Sequence, residues 1–282
     1  MKNLAKLTAL TLTAALALTA CGSTADSAAP AESTADTAAT EETGGDLLSQ
    51  IQASGTITVA MEGTWAPWTY HDENDNLVGY DVEVATKIAE KLGVEPKFVE
   101  GEWDGLLAGL DAGRYDIMVN GVDITPERAE KYDFSTPYAY NRTAVITQTD
   151  NDSIKALEDL NGKTTANTIS STYAELAEQY GATVTGVDDL NQTFELLLSG
   201  RIDATLNAEV TYYDYMKEHP DANAKIAVLT ADANEVAIPM RKGDETATLR
   251  AAIDTAIEEM RADGTLKELS EKYFGTDIST NE

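Results

Sequence analysis

Between Gly55 and Phe274 short apolar runs alternate with longer amphipathic stretches, and this alternation restricts the fold more than any other property of the chain. Gly55 to Met61 reads as a buried strand. From Gly79 to Leu92, the residues Val82, Ala85, Ile88, Ala89 and Leu92 recur at helical spacing, and Gly93 supplies a stop. The pattern repeats as a strand over Pro96–Val99, a helix over Trp103–Gly113 and a strand over Arg114–Val119. It then resumes with a helix over Thr172–Tyr180, a strand over Thr183–Val187, a helix over Asn191–Ser199, a strand over Ile202–Leu206 and a helix over Tyr212–Lys217. A final amphipathic helix is predicted over Thr246–Ala262. Such alternation predicts an α/β fold with mainly parallel sheets. The two halves each carry it, and they are joined through Thr143–Thr147 and, on the return, Glu235–Pro239. Two crossing strands between two α/β lobes imply a cleft.

The first twenty residues do not belong to that fold. Lys2 and Lys6 precede an uncharged apolar stretch from Leu7 to Ala20, too short to span a bilayer and suited to an export signal. Leu18-Thr19-Ala20-Cys21 resembles the lipobox of bacterial lipoproteins, in which the cysteine becomes the acylated first residue of the mature chain; the competing reading is a plain secretory peptide with a chance cysteine. Cys21 is the sole cysteine, so an intramolecular disulfide, a CxxC redox pair and a thiolate zinc cage are all excluded. From Gly22 to about Gly45 the chain is Ala, Ser, Thr, Asp and Glu with no aromatic or branched aliphatic residue, which cannot offset its ordering entropy by burial. The predicted organisation is a lipoprotein signal peptide at 1–20, a flexible acidic tether at 21–46, one lobe from 47–142 plus 236–278, and a second lobe at 143–235.

Twenty Lys and Arg stand against 49 Asp and Glu, a formal net charge of −29. A field of that sign repels polyanions and excludes a nucleic-acid binder working through bulk charge. Asp72 to Glu83 begins like a calcium loop, but Leu77 occupies the position that needs glycine, so a polar hairpin turn explains it better. His71 and His219 sit in unrelated segments and no nucleotide or hydrolase motif appears. No metal and no cofactor is called for.

Four segments put uncommon residues where loops leave strands, the edge of an α/β sheet at which ligands bind. Glu62 to Tyr70 holds Trp65 and Trp68 in a proline-containing loop, where aromatic rings either pack or line a pocket. Trp103 opens a helix and faces the same choice. In Asn120-Gly121-Val122-Asp123-Ile124-Thr125-Pro126-Glu127-Arg128, Thr125 is a good N-cap and Pro126 suits the first helical turn. Arg128 in that turn opposes the helix dipole, which a bidentate grip on a carboxylate would explain. Ser170, Ser171 and Thr172 start a helix and form either an anion seat or an ordinary cap.

The run EGTWAPWTY through TPERAEKYDFSTPYAY, with the closing RADGTLKELSEKYFG, resembles the family 3 extracellular solute-binding proteins, the polar amino-acid receptors of ABC importers. The resemblance runs from about residue 50 to the end and implies a two-lobed type II periplasmic-binding-protein fold, its ligand cleft between lobes joined by two hinge strands. It gives Arg128 the ligand α-carboxylate, aided by Ser171 and Thr172, and adds Asn120, Gly121, Asp123, Trp65 and Trp103 as ligand contacts. Many relatives carry an aspartate for the ligand ammonium where this chain has Ala208, beside Asn207 and Glu209, and Asp123 stands where relatives often have Thr or Ser. Asp123, Glu209 or Glu62 is left to receive the ammonium. TANTISSTYAELAEQYGA and DATLNAEVTYYDYMKEHP are most similar to the cystine-binding branch. The resemblance therefore implies a monomeric, non-enzymatic receptor for a polar amino acid, with a lean to L-cystine. It would be anchored through lipid on Cys21 at the outer face of the bacterial cytoplasmic membrane and would dock on the membrane subunits of an ABC importer. The alternatives on the same fold are a ligand-sensing module and a dehydratase-type enzyme. Inhibition of lipoprotein signal peptidase is expected to leave a longer, slower-migrating precursor; unchanged migration would contradict a processed, acylated Cys21.

Overall fold

Asp46 accepts a hydrogen bond from the Ser49 N–H and so caps helix α1 (Leu47–Ser54). A computed structural model describes residues 46–281. The predicted export signal at 1–20, Cys21 and the predicted tether at 21–46, apart from Asp46, lie outside the described residues.

The first half continues with β1 (Thr56–Met61), β2 (Tyr70–His71), β3 (Leu77–Val78), α2 (Tyr80–Leu92), β4 (Glu95–Glu100), α3 (Trp103–Asp111), β5 (Ile117–Met118), α4 (Pro126–Lys131), β6 (Tyr132–Phe134), β7 (Ala139–Asn141) and β8 (Thr143–Thr147). The second half contains β9 (Thr164–Asn167), α5 (Thr172–Gln179), β10 (Thr183–Gly186), α6 (Leu190–Leu198), β11 (Thr205–Ala208), α7 (Glu209–Glu218), β12 (Lys225–Leu229), β13 (Asn234–Val236), β14 (Pro239–Arg241), α8 (Ala247–Ala262) and α9 (Thr265–Phe274).

In the first lobe β1 lies between β4 and β5, parallel to both, as βα alternation demands. The apolar stripe of α2 meets α8 and α9 in one core that holds Ile57, Val59, Ile88, Ile253 and Ile257. Trp103, Leu106, Leu110 and Met118 form the second layer on α3. In the second lobe β9 and β10 are parallel, but β8 pairs antiparallel with both β11 and β12. The expected mainly parallel arrangement therefore holds around β1 and not around β8. The reason is topological: β8 enters this lobe directly from the crossing segment and not through a helical crossover.

That pairing also relocates the crossing. Thr143–Thr147, expected to join the lobes, is buried throughout within the second lobe's sheet. The segments that run between lobes are β7 and β13, paired antiparallel with Asn141 opposite Asn234 and Ala139 opposite Val236. β14, on the return, pairs with β6. The strand expected over Ile202–Leu206 begins at Thr205, because Asp203 instead accepts hydrogen bonds from the Thr164 N–H (2.8 Å) and hydroxyl (2.9 Å). Asp72 to Asn76 is the turn of the β2–β3 hairpin; Asp72 Oδ1 accepts from the Asn74 and Asn76 amides, which accounts for the acidic run without calcium.

Asp81, in the first turn of α2, is fully buried; its Oδ1 accepts from the Tyr138 hydroxyl at 2.8 Å, and Oδ2 has no partner among the described residues. Burial raises its pKa to about 7, against which the Tyr138 bond and the Gly121 backbone N–H act only in part. Its native pKa lies above the unfolded value of 3.8, so the native state keeps a proton that the unfolded chain loses, and stability falls as pH rises between these values. Asp81→Asn keeps the acceptor for Tyr138 and removes the charge. The variant should melt near the wild type at about pH 4 and progressively above it towards pH 8; a pH-independent difference in melting temperature would refute this account.

Candidate functional site

The carboxyl ends of the neighbouring strands β1 and β5 lie on one side of the cleft and that of β9 on the other, and the residues that follow each strand build its walls. Glu62 follows β1, Asn120 to Asp123 follow β5, and Thr168 to Thr172 lead from β9 into α5. The space they enclose is partly open to solvent. All three tryptophans of the chain, Trp65, Trp68 and Trp103, line it.

Arg128 is the main cation of this cavity. Its backbone N–H is held by the Thr125 hydroxyl at 3.1 Å, so the capped start of α4 fixes the side chain's origin. Nη1 donates to the Asp123 carbonyl and Nη2 to the Ser170 carbonyl, both at 3.1 Å, and Cζ stands 5.2 Å from the centre of the Trp103 ring. Ser170 turns its carbonyl this way from a left-handed conformation, φ 61°. A guanidinium has five N–H donors, so two carbonyl bonds leave capacity for a fork on a carboxylate.

Asp123 supplies the opposite charge. It is 4% exposed, and Oδ2 accepts from the Thr172 hydroxyl at 2.5 Å and from Asn234 Nδ2 at 3.1 Å. Burial pushes its pKa up to about 6, opposed by the Thr172 bond and by the Arg128 charge. Glu62 is likewise raised to about 7, chiefly by burial; Asn120 Nδ2 donates to its Oε2 at 2.7 Å, while Asn120 Oδ1 accepts from the Glu62 amide at 2.8 Å. Four further lining residues have a buried polar atom with no protein partner among the described residues: Trp103 Nε1, Asn141 Oδ1, Asn167 Oδ1 and Asn207 Nδ2. An unmade buried hydrogen bond costs about 1–3 kcal/mol, so their convergence on one cavity suits a polar solute.

Residues 57–276 match the family described as bacterial extracellular solute-binding proteins, family 3. The chain belongs to this family. It is 41% identical over 236 residues to the L-cystine-binding protein TcyA of Bacillus subtilis, covering 83% of this chain and 87% of that protein. Among solved structures, an ancestral arginine-binding protein bound to arginine superposes with a TM-score of 0.73 at 38% identity, covering 78% of this chain and 99% of the other. The L-cystine solute receptor of Neisseria gonorrhoeae, in an unliganded open conformation, gives 0.58 at 42% identity, covering 84% and 99%. The fold is the two-lobed type II arrangement of these receptors.

Of the residues singled out in the sequence, Glu62, Trp65, Trp103, Asn120, Gly121, Asp123, Arg128, Ser171, Thr172 and Asn207 line this cavity. Ser170 is set just outside and contributes its carbonyl to Arg128; its hydroxyl has no part in that contact. Ser171 caps α5 by accepting from the Ala174 N–H at 3.2 Å. Glu209 does not reach the site. It starts α7 and its carboxylate is held by Arg142 at 2.9 Å, which removes it from the residues that could meet an ammonium group here.

Trp68, Asn141, Asn167, Thr168, Tyr173 and Val236 complete the lining; of these only Trp68 had been noted in the sequence, and not as a ligand contact. For Trp68 the signal was present, since it shares the loop of Trp65; its Nε1 donates to the Thr211 hydroxyl at 3.2 Å. Asn141 and Val236 belong to the crossing ladder and have no local signature. Gly79 fixes the Trp68 backbone: it holds φ 134°, and a Cβ there would lie 2.1 Å from the Trp68 carbonyl oxygen. Gly79→Ala should therefore cost more than about 1 kcal/mol and alter tryptophan fluorescence. An unchanged melting temperature and spectrum would show that the loop accommodates the methyl group freely.

Proposed function

We propose that this protein captures a polar amino acid by closure of its lobes and delivers it to an ABC importer. The observation that carries this reading is the juxtaposition of Arg128 and Asp123, opposite charges buried in one cavity and suited to the two charges of an α-amino acid. In this scheme Arg128 grips the α-carboxylate with the start of α5 (Ser171 and Thr172) beside it, and Asp123 takes the α-ammonium. Glu62, Asn207 and the tryptophans then face the side chain.

L-cystine is the proposed solute. Its support is the similarity to the cystine-binding protein of Bacillus subtilis across most of both chains, together with a cavity rich in buried polar atoms. The lobes, 47–142 plus 236–278 and 143–235, would rotate about β7 and β13. A higher TM-score to the arginine-bound receptor than to the open cystine receptor, despite lower identity, supports the reading that the lobes are closed here. The importer's membrane subunits would take the closed form. Acylated Cys21 would hold the protein, as a monomer, at the outer face of the cytoplasmic membrane. A dehydratase gains no support from relatives that are named as binding proteins.

A thermal-shift screen of the amino acids and cystine tests the reading. A solute at 100 times its dissociation constant adds about 2.7 kcal/mol, so one or a few amino acids should raise the melting temperature; silence across the panel would refute amino-acid capture. Arg128→Ala should lose about 2–5 kcal/mol of binding. Retention of wild-type affinity would take the α-carboxylate away from Arg128.

A further inference from the structure

Among the described residues, the direct side-chain contacts that join the lobes at the cavity include Arg128 to the Ser170 carbonyl, Trp68 to the Thr211 hydroxyl, and Thr172 to Asp123. The third differs from the others in its acceptor. Oδ2 of Asp123 receives the Thr172 hydroxyl at 2.5 Å and Asn234 Nδ2 at 3.1 Å. The same Asn234 Nδ2 also donates to the Thr143 hydroxyl at 3.2 Å. Asn234 belongs to the crossing strand β13, Thr143 is the first residue of β8, and Thr172 is the first of α5. One carboxylate oxygen thus gathers the binding loop of the first lobe, the hinge ladder and the helix start of the second. Hydrogen bonds to a carboxylate are roughly twice as strong as neutral ones, and burial of Asp123 keeps water from competing for them.

We propose that Asp123 is the closure latch of this receptor: through Oδ2 it ties Thr172 and Asn234 together, so that the lobes shut on bonds of their own as well as on the solute. This rests on the capture-by-closure reading and adds a property to it. Oδ1 is left for the solute ammonium, so one residue both senses the solute and holds the door. Part of the closing free energy is then present in the protein alone, and two effects follow: solute-free molecules spend time closed, and release slows while capture is little changed. Thr172 and Asn234 act as positioning residues for Asp123.

The test uses the full chain. Thr172→Val removes the hydroxyl at nearly constant volume, Thr172→Ser keeps it, and Asn234→Ala acts from outside the cavity lining. Small-angle scattering without added amino acid should find the wild type and Thr172→Ser more compact than Thr172→Val and Asn234→Ala, with all four melting cooperatively. With L-cystine as the probe, stopped-flow release from Asn234→Ala, a position outside the cavity lining, should be about tenfold faster and association should change by less than about twofold. Solute-free scattering from Thr172→Val that matches the wild type, or a slowed association with unchanged release, would overturn the latch. If the wild type binds no L-cystine, the cystine reading fails and the solute-free scattering still decides the latch.

Discussion

A guanidinium shut into a cleft sets the terms for the rest of this structure. Arg128 is buried, and a buried cation is tolerated only if its donors are met and an opposite charge lies near. The fold meets this with two carbonyls, the face of Trp103 and the carboxylate of Asp123 in the same cavity. Each of these comes from a strand end or helix start that the α/β framework brings to one edge. The Thr125 cap and the left-handed Ser170 support that arrangement through their bonds to Arg128.

Burial also explains the acidic pKa values. Glu62, Asp123 and Asp81 are all pushed well above ordinary carboxylates, with desolvation the largest cause in each. Their environments separate them. Asp123 has a nearby cation and two side-chain donors, Glu62 has an amide partner, and Asp81 has a phenol and an unpartnered oxygen. The first two line the cavity and stand ready for a charged solute. Asp81 lies in the core behind them and bears on stability.

The placement of the lobes' connections bears on how closure can work. β7 and β13 form a short antiparallel ladder, and Asn141 on it also lines the cavity. The crossing is therefore not a remote pivot. Asn141 and Val236 on it border the cavity, and Asn234 contacts Asp123 directly.

Much of this was legible in the residues. The apolar periodicity of 79–92, closed by Gly93, became α2 with Gly93 left-handed at its end. Thr125-Pro126 became the cap and first turn of α4, and the Arg128 side chain lines the cavity. Other features were not legible, because they depend on neighbours distant in sequence. Strand β8 has the same apolar pattern whether it crosses between lobes or lies inside one; only its pairing with β11 and β12 decides. Glu209 and Asp123 are both acids beside site segments, yet an arginine 67 residues away neutralises one and leaves the other facing the cavity. Local sequence thus determined the elements, their caps and the kinds of chemistry on offer, since these follow from periodicity and residue type. Tertiary structure alone decided which charges share a buried space, because burial and pairing belong to residues that meet only after the chain has folded.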